Sequence, residues 1–144
     1  MEHSNGDRLL HAELTEKTIG AFYVVQRELG FGFLESVYEA ALAITLRNLG
    51  LDVRQQAPID VWFHGRRIGL FRADLVVEEL VIVELKALRQ LAPQHEAQLL
   101  NALRASNIEV GFLVNFGPKL SFKRMVYDNS RKRVCGIPCS SAAG

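Results

Sequence analysis

A mixed β-sheet flanked by helices, in the α/β (or α+β) class, is predicted by three features of the chain. Apolar residues first recur at helical spacing over two stretches, then alternate as in strands, and a single helical stretch interrupts the strands late on. The predicted order is α-α-β-β-β-α-β-β. Three successive strands joined by short turns must run largely antiparallel. A strand that follows a helix can return parallel to one of them.

The elements follow in sequence. From Asp7 to about Leu29, apolar residues at Leu10, Leu14, Phe22, Val25 and Leu29 give the first helix, and G-F-G at Gly30 to Gly32 ends it. The second helix runs from about Leu34 to Leu49, with Gly50 placed as its stop. Val53 to Phe63 is the first strand, H-G-R-R at 64–67 a turn, and Ile68 to Val77 and Leu80 to Lys86 the next two strands. Pro93, whose fixed φ suits a first helical turn, opens a helix to about Ser106. Strands at Val110 to Phe116 and Leu120 to Tyr127 close the fold. Residues 7–128 are expected to form one domain and 129–144 a basic, loosely ordered tail.

Composition narrows the function classes. The chain has 144 residues, 49% hydrophobic and 23% charged, with a formal net charge of +1. That length supports one self-sufficient core, and that charge gives no general attraction to polyanions. Nucleic-acid affinity must then come from local patches; the late basic residues Lys119, Lys123, Arg124 and Arg131 to Arg133 read equally as a solvated surface. No apolar run approaches the roughly 18 residues of a membrane span, and M-E-H-S-N-G-D-R lacks signal-peptide character, so a cytoplasmic protein with no membrane partner is expected. Cys135 and Cys139 read as free thiols, since a structural zinc site usually needs four ligands.

The chemistry concentrates at V-I-V-E-L-K-A-L, residues 81–88. Glu84 and Lys86 share one strand face, while Val83, Leu85 and Ala87 share the other. The preceding strand carries Asp74 in F-R-A-D-L-V-V. A strict two-residue turn would set Asp74 opposite Val83, whereas a three-residue connection over Glu78, Glu79 and Leu80 sets it opposite Glu84. The second register is expected. Two adjacent carboxylates repel, and a divalent cation between them removes the conflict; their hard oxygens suit Mg²⁺ or Mn²⁺. Lys86 then faces whatever the metal holds, which reads as a metal-dependent phosphodiesterase site. By itself an E-x-K tripeptide in a strand is far more often a salt-bridged or solvated face.

The D-x9-E-L-K arrangement resembles the PD-(D/E)XK nuclease superfamily, with Ala73 where a proline usually precedes the aspartate. G-F-L-E-S-V-Y at 32–38 is similar to the G-x-x-E-x-x-Y pattern of a small family within it, as are the stretches Glu84 to Leu103 and G-F-L-V-N-F-G at 111–117. The likeness covers roughly residues 10 to 127. It implies a restriction-endonuclease-like core and a Mg²⁺- or Mn²⁺-dependent nuclease in which a metal-activated water cleaves nucleic acid, DNA favoured over RNA. It implies Asp74 and Glu84 as metal ligands, Lys86 as the catalytic lysine, Glu35 as a further helical ligand, and Gln98 as a glutamine near the scissile phosphate.

Read without that likeness, Glu35 and Gln98 are solvated helix residues, Tyr38 is a core aromatic and His95 a helix-start cap. The likeness also sets an aromatic where Ala102 stands. Two further readings are a catalytically weak nucleic-acid-binding or partner-regulated module on the same fold, and a structural assembly protein. A homodimer would suit two-strand cutting.

Overall fold

The computed structural model describes residues 11–132. Helix α1 (Ala12–Leu29) and helix α2 (Glu35–Asn48) precede strands β1 (Val53–Phe63), β2 (Arg66–Val77) and β3 (Val81–Lys86). Helix α3 (Pro93–Ala105), strands β4 (Val110–Phe116) and β5 (Leu120–Val126), and a 3-10 turn at Asn129–Arg131 complete the described residues. The predicted order is the observed one. The strands form a single sheet in the order β1-β2-β3-β4-β5. Among the described strands only β3 and β4 are parallel, and α3 supplies the crossover that a parallel pair requires. No helix among the described residues is long and apolar enough to cross a membrane.

Each sheet face buries its own cluster. Phe22 of α1 and Tyr38, Leu42 and Leu46 of α2 pack with Val83, Leu85, Phe112 and Phe116. Phe22 meets Phe112 edge-on at 5.5 Å between centroids, and Tyr38 stacks on Phe116 at 4.9 Å and 2°. On the other face Leu99, Ala102 and Leu103 of α3 pack with Val76, Ile82 and Leu113. The helix can lie close because position 111 is glycine: a Cβ there would come within 2.9 Å of Leu99 Cδ1.

Local chemistry sets the ends of the elements. At the end of α2 the Gly50 N–H donates to Arg47 O and the Leu51 N–H to Leu46 O, with Gly50 at φ 85°, which is the paired-bond stop that glycine makes possible. The β1–β2 turn is tighter than the expected H-G-R-R. It holds only His64 and Gly65, both at positive φ, and Arg66 already pairs with Phe63. Between β2 and β3, Val77 pairs with Val81, so Glu78, Glu79 and Leu80 form a three-residue connection.

The tail does not loosen at 129, because Lys132 is buried and its ammonium donates to Ser106 O at 2.7 Å and Ile108 O at 2.8 Å. Those are carbonyls beyond the C-terminal end of α3, so the fold extends at least to residue 132. The expectations for Cys135, Cys139 and the N-terminal residues 7–10 fall outside the described residues.

Strand alternation breaks within β1 and β2. Leu75 joins the α1–α2 face and Ala73 the α3 face, although residues two apart in a regular strand share a face. Val53 and Ala57 of β1 are divided in the same way. Both strands switch faces at the same level. Gln55 pairs with Leu75 and Ala57 with Ala73, but Gln56 and Asp74 between them make no ladder pair, and Gln56 has φ 51°.

Candidate active site

Asp74 sits where two ladders fail at once. Its β1 neighbour is the unpaired Gln56, and on the other side the β2–β3 ladder stops at Leu75 and Val83. One step further along that register, Asp74 lies opposite Glu84, as the three-residue connection requires. Side chains replace the missing ladder bonds. The Asp74 N–H donates to Glu84 Oε2 at 3.2 Å, and the Leu85 N–H donates to Asp74 Oδ2 at 2.9 Å. Each carboxylate is therefore held by the other strand's main chain.

The pair is electrostatically strained. Burial, then the negative charge of Asp74, push the Glu84 carboxyl up to about 8, while the Asp74 backbone N–H and the Lys86 charge pull the other way. At neutral pH Glu84 therefore keeps its proton beside Asp74. A hard divalent cation would displace that proton, and two carboxylates on one strand pair are donors of the type such a cation takes. The residues fit the group on this count. Among the described residues, however, no cluster of three or more His, Cys, Asp or Glu side chains is gathered at metal-ligand spacing.

The other expected residues divide. Lys86 is half-buried, two positions beyond Glu84 on the same strand face, and is close enough for its charge to act on Glu84. Glu35 is not brought to the pair. It is the first residue of α2 and is exposed. The acid of α2 that enters this network is Glu39, one turn further in. Glu39 accepts from Gln55 Nε2 at 3.0 Å and from Gln56 Nε2 at 2.7 Å, and Gln56 Nε2 also donates to Asp74 Oδ1 at 3.3 Å.

Gln98 lies exposed on α3. His95 caps that helix, its Nδ1 accepting the Ala92 N–H at 3.0 Å. Ala102 is buried beside an apolar groove of about 260 Å³ that Val61, Phe71 and Arg104 help to line, where an aromatic at 102 would add contact.

Tyr38 serves the core and the loop before α2, not Glu35. Its hydroxyl donates to Gly30 O and accepts the Phe33 N–H at 3.4 Å. Sequence reasoning missed Asn115. It is buried in the apolar run of β4, with Oδ1 accepting the Leu88 N–H and Nδ2 donating to Leu88 O, both at 2.9 Å. This clamp fixes the chain just after Lys86. The signal was available: like Glu84, it is a polar side chain inside an apolar strand. Gln56 and Glu39 carried no such signal.

A family profile described as the PD-(D/E)XK nuclease superfamily matches residues 12–125. No curated protein matches the chain. Among solved structures, the crystal structure of SSO0001 superposes with a TM-score of 0.51 at 19% identity, over 86% of this chain and 63% of that one. The likeness is one of fold, and this chain spans less than two thirds of that protein's length.

Proposed function

The chain belongs to the PD-(D/E)XK nuclease superfamily, and on that premise we propose that it is a nuclease hydrolysing phosphodiester bonds in nucleic acid with a divalent cation, Mg²⁺ or Mn²⁺, held by Asp74 and Glu84. The observation that carries the reading is the crossed carboxylate pair, with Glu84 raised to about 8 beside Asp74. A structural ion pair would join opposite charges; here two carboxyl groups meet where both ladders are open. When bound, the cation polarises a phosphate oxygen and acidifies a water.

The remaining work falls to the chain itself. The Leu85 and Asp74 amides hold the two carboxylates on their strands. Gln56, shared with Glu39, steadies the second oxygen of Asp74. Lys86 offers its ammonium to a phosphate oxygen on the Glu84 side and stabilises charge as it develops there. Gln98, from α3, donates its amide to the substrate backbone. Glu35 stands outside the two-ligand set. DNA is the first substrate to test and RNA the second.

A second reading, a binding module with weak catalysis, is favoured by one observation: two acids rather than three are gathered. Calorimetry with Mn²⁺ on the wild type and on Asp74→Asn, which keeps a side-chain acceptor for the Leu85 amide, separates the readings when followed by cleavage assays on DNA and RNA. Cation binding lost in the variant, with metal-dependent cleavage by the wild type, supports the nuclease. Nucleic-acid binding without cleavage in any metal supports the module. A folded wild type that binds neither cation nor nucleic acid would sink both.

A further inference from the structure

The loop between α1 and α2 presents an apolar surface that the reading above does not use. Phe31 is 41% exposed, Phe33 48%, Leu34 74% and Val37 36%. Exposing four large apolar side chains within seven residues has a cost, and this loop is built to do it. Gly30 and Gly32 take positive φ, and the buried Tyr38 hydroxyl ties Gly30 O to the Phe33 N–H. The Phe33 ring rests edge-on against Tyr38 at 6.1 Å. The rings are thus held outward on a fixed support.

The patch is also linked to the segment that follows β3. The Arg89 guanidinium lies over the Phe31 ring, 5.4 Å from its centroid. Arg89 follows Lys86 by three residues, and the Asn115 clamp holds the intervening Leu88 in place. A cation over one exposed ring, with a second exposed ring and aliphatic side chains in the same stretch, therefore lies three residues along the chain from Lys86.

We propose that Phe31, Phe33 and Arg89 form a stacking platform for unpaired bases, so that the substrate is single-stranded nucleic acid or a single-stranded end or flap. The inference rests on the nuclease reading and deepens it. In a duplex the base faces are covered by their neighbours, and only an unpaired base offers a π face to phenylalanine and guanidinium. Arg89 supplies the positive charge that the backbone of such a strand demands. A second copy of the chain fits less well: four partly exposed side chains fall short of the roughly 800 Å² per partner of a stable interface.

The test is fluorescence anisotropy with a labelled single-stranded 12-mer and its duplex, in Ca²⁺ to limit cleavage. Wild type is compared with Phe31→Leu/Phe33→Leu, which keeps apolar bulk and removes the rings, and with Arg89→Gln, a surface change that leaves the Tyr38 contacts alone. The double variant is expected to bind the single strand about ten-fold or more weakly, Arg89→Gln several-fold, with duplex affinity changing less. Equal single-strand binding by wild type and both variants, with cleavage retained, overturns the platform and leaves the nuclease reading standing. A wild-type dimer that the double variant converts to monomer, with single-strand affinity unchanged, overturns it in favour of a self-interface. Wild type that neither binds nor cleaves any nucleic acid removes the nuclease reading and this inference together.

Discussion

Glu84 shows how a single residue reports on its surroundings. Its folded pKa of about 8 lies above the ordinary 4.5, so the folded chain holds this proton more tightly than the unfolded chain does. The stability penalty is absent below about pH 4.5, grows as pH rises, and is complete above about pH 8. In chelator, wild type should therefore lose stability relative to Glu84→Gln between pH 5 and pH 9, by on the order of a few kcal/mol. Denaturant titrations across that range would show it, and parallel curves would contradict it. Mn²⁺ should narrow the gap, since a ligand of the native state alone stabilises it. Lys86→Ala, by contrast, should leave Mn²⁺ binding intact and lower cleavage at least about 100-fold, if charge stabilisation is its role. The placement of Asp74 opposite Glu84 was legible because charges inside an apolar strand demand a reason. The face switch at Gln56 and Asp74 was not legible, because glutamine has no propensity that announces a positive φ and the strand pattern continues around it.

Among the elements, the β2–β3 connection sets the site. Its three residues place Asp74 across from Glu84, and its first two, Glu78 and Glu79, both take positive φ without being glycine. Asp52 and Arg54 steady them, through the Glu78 N–H to Asp52 O at 2.8 Å and the ion pair of Arg54 with Glu79. Deleting Glu79 should leave every named site residue present yet abolish cleavage, because a one-residue slip turns a strand's side chains to its opposite face. Retained cleavage in a folded deletion would show that the register is not what matters. The Asn115 clamp makes a parallel claim. Asn115→Ala removes both bonds to Leu88 and should cost about 2–3 kcal/mol by thermal or denaturant unfolding, since the Leu88 groups lose their partners. Apart from the start of the first helix, expected at Asp7 and found at Ala12, strand and helix extents were legible to within a residue or two, because the periodicities are clean. The hairpin turn was read too long only because Arg66 and Arg67, polar and exposed, look like turn residues while being strand residues.

For the whole molecule, the sheet with helices on both faces followed from element order alone: one helix between the third and fourth strands forces one parallel pair. The end of the domain did not follow, because a lysine in a basic run reads as solvated. Lys132 instead spans back to the carbonyls of Ser106 and Ile108. A chain ending at residue 128 should be less stable than the full chain by about 2–4 kcal/mol, as two buried carbonyls lose a charged donor. Comparing unfolding midpoints of the two chains checks this.

The crossed bonds at the carboxylate pair have a spectroscopic consequence. The amide protons of Asp74 and Leu85 point at the oxygens that a cation would claim. When Glu84 Oε2 turns to an ion, the Asp74 amide must share or surrender its acceptor. Its ¹⁵N–¹H resonance should then move on titration with diamagnetic Mg²⁺, while amides on the far edge strand β5 stay still. Two backbone signals thus serve as built-in reporters of occupancy, readable without substrate and without turnover.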